Sequence, residues 1–245
     1  MAAAVLMGQA VVIASLAGAI ALSWAYLVAM AAHGMVAMAP MAWNASYAAS
    51  MLLMWVLMMV AMMLPSALPM ILIFDRFNRS RGQRGGFDTA LFTFGYVLVW
   101  AGFSVLATAA QWGLERSGLL SAHTALTSGA IAGGVFIAAG AWQFASLKRT
   151  CLEVCRSPVE FLSAHWRPGR TGALLMGLHH GAFCLGCCWV LMALLFVGGV
   201  MNLLWIVPVA LFVLIEKCLP GGEPMGKVGG ALFIVWGAAA LFFVT

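Results

Sequence analysis

Apolar residues run through this chain in lengths that a water-soluble fold has no way to bury. A helix that crosses a bilayer needs about 20 predominantly apolar residues, and segments 5–30, 49–74, 87–112, 124–147, 171–200, 202–217 and 226–244 approach or exceed that length. The sixth is the short one. Hydrophobic residues make up 64% of the chain and charged residues 8%, against roughly 25% charged in soluble domains. In hydrocarbon every backbone N–H and C=O must find an internal partner, which for runs of this kind means helix. The expectation is an all-α polytopic membrane bundle of about seven transmembrane helices, forming a single domain over 1–245. The first segment has no basic flank and is too long for a signal-peptide core, so it reads as a retained helix.

The few basic residues orient the bundle. Arg76, Arg79, Arg81 and Arg84 follow the second segment. Lys148, Arg149, Arg156, Arg167 and Arg170 lie between the fourth and fifth, and Lys217 and Lys227 flank the connection between the sixth and seventh. Only Arg116 falls on the other side. Cytoplasmic loops carry the excess of Lys and Arg, so these connections are expected inside, with the amino terminus cytoplasmic and the carboxyl terminus outside. The net charge of +5 is then a topology signal. No aromatic-basic interleave or nucleic-acid motif accompanies it, which argues against a DNA or RNA partner.

Against this background the fifth segment is anomalous. Gly177-Leu178-His179-His180-Gly181-Ala182-Phe183-Cys184-Leu185-Gly186-Cys187-Cys188-Trp189 sets two imidazoles and three thiols in an apolar helix, where a polar group without a partner is costly. At about 100° per residue, Met176, His180, Cys184 and Cys187 share a stripe, with Cys188 on its flank and His179 pointing elsewhere. Thiolate, thioether and imidazole suit copper or zinc, whereas magnesium and calcium want oxygen ligands that the stripe lacks.

Three further groups carry candidate chemistry. In the second segment Met51, Met54, Met58 and Met62 form another stripe, broadened by Met59 and Met63, and Met58 and Met62 are expected at the depth of Cys184 and Cys187. Near the inner end of the sixth segment stands Glu216-Lys217. The lysine is expected to snorkel to the interface, and the carboxylate to act as a ligand, a hydrogen-bond acceptor for His180, a proton-relay group or a structural partner. The third group, Cys151 and Cys155, falls one helical turn apart in the basic connection before the fifth segment. Beside Lys148, Arg149 and Arg156 they are expected to be cytoplasmic, accessible and reactive, as a metal relay or as inert reduced thiols. Between the first two segments Met35, Met38 and Met41 read as an outer loop, with a weaker reading as a soft-metal entrance. No Ser-His-Asp set, P-loop or dinucleotide-binding glycine pattern offers other chemistry.

Several of these stretches resemble one bacterial family. They are Ala61-Met62-Met63-Leu64-Pro65, Gly95-Tyr96-Val97-Leu98-Val99-Trp100, Leu147-Lys148 through Cys151, Cys155, Arg156 and Pro158, and His180-Gly181 with Cys184-Leu185-Gly186-Cys187-Cys188-Trp189. Gly198 to Leu203 and Glu216-Lys217 with Pro220-Gly221 complete the set. The family is that of the predicted metal-binding integral membrane proteins (domain of unknown function 2182). Ala145-Ser146 depart from it, since the resemblance places Thr-Pro there at a helix break. It implies a multi-helix protein of the bacterial inner membrane that binds metal. With the residues above, it leads to a soft transition metal, copper before zinc, held by His180, Cys184, Cys187 and Cys188. Met58 and Met62 follow as second-choice ligands, Cys151 and Cys155 as a relay, and Glu216 beside the site. The expected role is metal delivery or metalloenzyme assembly, with the metal ion, membrane lipid and a metalloenzyme or metallochaperone as partners. A membrane-bound metalloenzyme or redox protein, and a metal-free structural subunit, are the alternatives.

Overall fold

The computed structural model describes residues 2–32, 43–81, 85–121 and 124–243; Met35, Met38 and Met41 lie outside them. The described residues are helical almost throughout, in the order α1 (Ala2–Ala32), α2 (Ala45–Ser80), α3 (Gly85–Arg116), α4 (Gly129–Trp142), α5 (Ser146–Arg156), α6 (Pro158–His165), α7 (Gly169–Ala193), α8 (Leu195–Gly198), α9 (Leu203–Cys218) and α10 (Gly222–Phe243). Among them α1, α2, α3, α7 with α8, and α10 are long and apolar enough to cross a membrane. The outward faces of α1, α9 and α10 are apolar too: Leu22, Leu204 and Phe242 are 74%, 87% and 80% exposed. A surface of this kind matches hydrocarbon better than water.

Two segments depart from the continuous spans expected of them. The fourth breaks after Trp142 and resumes at Ser146, with a bend of 63° between α4 and α5. It breaks without the proline that the resemblance would place there. Instead Lys148, from the second part, donates to the Gln143 side chain and to Glu216 of α9, and all three groups are buried. The α9 helix has 16 residues, which at 1.5 Å per residue gives about 24 Å, short of a hydrocarbon layer of about 30 Å.

Packing depends on small residues where backbones approach. The α3 and α7 helices make the most extensive contact in the bundle. A Cβ on Gly177 would strike the Phe92 carbonyl, and one on Gly95 would meet the Leu174 carbonyl at 2.5 Å. This is the small-residue packing that holds apolar helices together where no hydrophobic force acts between them. At the basic end, α2 and α3 are clamped by a buried polar network. Asn78 Nδ2 donates to Asp88 at 3.1 Å, Thr89 Oγ1 to Asp75 at 2.8 Å, and Arg79 Nε to Asp75 at 2.8 Å.

Candidate metal centre

The α7 stripe lies where the sequence places it, turned into the bundle. His180, Cys184, Cys187 and Cys188 are each no more than 2% exposed. Cys187 and Cys188, three and four residues past Cys184, both donate to its carbonyl at 3.0 Å. The helix thus gathers three sulfurs within one turn.

Three other helices close around them. From α2, the Met63 thioether approaches Cys188 Sγ at 3.9 Å. From α3, the Tyr96 hydroxyl lies 3.0 Å from both the Met63 carbonyl and Cys184 Sγ. That hydroxyl has one proton for two acceptors: a Cys184 thiolate would take it, and a thiol would leave it with the carbonyl. From α9, Lys217 Nζ stands 2.8 Å from Cys184 Sγ and 3.8 Å from Cys188 Sγ. The lysine therefore does not snorkel. It is 6% exposed, and the groups facing it are the three thiols and Tyr96. A buried ammonium requires a negative partner, and the sulfurs are the atoms in position to supply one.

The Cys151–Cys155 pair also departs from expectation. It is not an exposed loop pair, because α5 lies against α7. Cys151 is buried with its sulfur over Gly186, and Cys155 is half-buried with its thiol facing those of Cys184 and Cys187. The cysteines read as a separate cytoplasmic relay are thus next to the α7 cluster. Among the α2 methionines it is Met63 that touches a thiol; Met58 and Met62 are buried in the same helix. Glu216 turns the other way, to Lys148, while α9 packs more on α2 and α10 than on α7. The carboxylate and the lysine are neighbours in sequence yet serve different contacts.

His180 supplies a different signal. Its ring lies among Phe92, Tyr96 and Phe161, and its Nδ1 is buried with no hydrogen-bond partner among the described residues. An unpartnered imidazole nitrogen one turn from Cys184 fits a soft metal ligand. The Cys187 and Cys188 thiols, by contrast, have a carbonyl to donate to, that of Cys184. Among the described residues no three His, Cys, Asp or Glu side chains form a ready-made coordination set. Ligation would require thiol deprotonation and a modest rotation of side chains. Lys217, Tyr96 and Met63 escaped the sequence reading as members of this cluster. Met63 had a visible signal there in its place on the methionine stripe, and Lys217 in its charge within an apolar segment.

Comparison with known proteins points to copper. No curated protein and no solved structure matches the chain. A family model described as a copper chaperone, PpoB2, matches residues 52–240, from early α2 to late α10 and including every residue of the thiol cluster. The chain belongs to the PpoB2 copper chaperone family.

Proposed function

We propose that this protein is a multi-pass protein of the bacterial inner membrane that takes up a cuprous ion on the sulfurs of α7 and α5 and passes it to a metalloenzyme under assembly. The observation that carries this reading is the gathering of Cys184, Cys187 and Cys188 within one helical turn, with Cys155 drawn toward them from α5, Met63 beside them and the open Nδ1 of His180 one turn away. Sulfur-rich sets of this kind select copper(I). A copper chaperone family supports the same ion.

In this reading Cys184 and Cys187 are the primary ligands, with Cys188, Cys155 and His180 available as the ion moves. Met58 and Met62 extend the soft surface along α2, and Cys151 lies one turn before Cys155 on α5. Glu216 is a positioning residue: by holding Lys148 it holds α5, and so Cys155, against α7. Lys217 balances the thiolate charge while no ion is present.

The test is copper stoichiometry of the full chain purified in detergent under reducing conditions. A Cys184→Ser, Cys187→Ser variant, whose hydroxyls still accept a hydrogen bond from Lys217, is expected to keep its helical content. It should lose copper from on the order of one ion per chain to near zero. Unchanged copper content in that variant would remove α7 as the site.

A further inference from the structure

Beyond the thiol cluster, the bundle holds a pair of histidines that the family description does not assign. His165 ends α6 and His179 lies on α7, and their rings stand edge to face with centroids 4.7 Å apart. His165 Nδ1 is 3.2 Å from the Phe161 carbonyl. A neutral ring that donates from Nδ1 leaves Nε2 as a free lone pair, the orientation that metal-bound histidines adopt. His179 is exposed and makes ring contacts but no hydrogen bond with the described residues. Both rings line a cavity of about 380 Å³ that also contains Met176 and Arg167.

The position of Met176 gives this cavity its direction. It is buried on α7, and Met176, His180 and Cys184 follow one another at four-residue intervals, so one helix face runs from the cavity to the thiols. The Phe161 ring lies between the two sets, 5.0 Å from His165, 5.8 Å from His179 and 5.5 Å from His180, centroid to centroid. With metal–nitrogen bonds of about 2.0 Å, two imidazoles on one ion hold their ring centres on the order of 5 Å apart, so a small rotation of either ring would close the pair. The Arg167 guanidinium at the cavity opposes a cation and keeps such a site weak.

We propose that His165 and His179 form a second, shallower copper site, with Met176 as a third soft ligand, through which the cuprous ion passes between the basic end of the bundle and the thiol cluster. The ion's identity rests on the function proposed above; the two-histidine geometry does not.

The experiment titrates the full-length protein in detergent, anaerobically, with cuprous ion buffered by bicinchoninate. The unmodified chain is expected to show two classes of binding. A His165→Ala, His179→Ala variant should lose the weaker class by at least tenfold in affinity and keep the tighter one. The Cys184→Ser, Cys187→Ser variant should keep the weaker class. If the histidine variant shows both classes unchanged, the proposal is overturned, whatever becomes of the thiols. If the cysteine variant keeps both, the thiol reading fails and the histidine variant still decides this one. A check that needs no variant is carbethoxylation of the unmodified protein by diethyl pyrocarbonate, read by mass spectrometry. Cuprous ion should slow modification of His165 and His179 several-fold, and equal rates with and without the ion would overturn the proposal.

Discussion

Cys184, on α7, is the point at which four other helices converge: Tyr96 and Lys217 contact its sulfur, Cys155 approaches from α5, and the Met63 carbonyl competes for the tyrosine proton. A buried lysine that loses its partner becomes an uncompensated charge, at a cost of about 3–5 kcal/mol. Cys184→Ala is therefore expected to destabilise the protein by about that much in chemical denaturation. Adding Lys217→Met, which removes the orphaned ammonium, should recover most of the loss. Additive effects in that cycle would show that the two groups do not form a pair. Tyr96→Phe isolates the hydroxyl. It removes the hydroxyl that faces Cys184 Sγ and the Met63 carbonyl, the latter also accepting from Ser66 Oγ, and should cost about 1–3 kcal/mol; a neutral result in the same denaturation assay would contradict the contact. The α7 residues were legible because helical periodicity alone fixes which of them share a face. Tyr96 and Lys217 were not, because their role depends on which neighbour each helix meets, and no spacing within one segment records that.

Among the elements, α5 shows most clearly what sequence leaves open. Its basic residues read as a solvated connection, yet the helix folds back on α7 with Lys148 buried, drawn in by Gln143 and Glu216. At about 100° per residue, adjacent Glu216 and Lys217 face different neighbours. One ties down α5 and the other meets the thiols. Glu216→Gln should therefore destabilise the protein by about 3–5 kcal/mol by leaving Lys148 unpaired, and Lys148→Met with Glu216→Leu should restore much of it. The readout is thermal unfolding in detergent, and a fully stable Glu216→Gln would refute the tie. The packing also reverses the expected reactivity of the pair on α5. Cys151, at 7% exposure, should react with a membrane-impermeant maleimide much more slowly than Cys218, which is exposed. Equal rates would place α5 away from α7.

Across the whole molecule, the all-helical architecture follows from apolar segment length, and there the sequence reading needed little correction. Where it overcounted, the causes were local: a polar trio bends the fourth segment, and α9 stays short because Asn202 caps its start and Leu219, ahead of Pro220-Gly221, ends it. The basic connections, the polar clamp of Asp75 and Asp88, the histidine pair and the α5 fold-back all lie toward one end of the bundle, while Arg116 stands at the other end of α3. The chain belongs to a copper chaperone family, and the sulfur cluster is the site proposed above for the ion. X-ray absorption on the full-length protein loaded with one equivalent of cuprous ion tests that claim most directly. The account predicts a first shell dominated by sulfur at about 2.3 Å, whereas a shell of nitrogen and oxygen alone, with no sulfur, would contradict it.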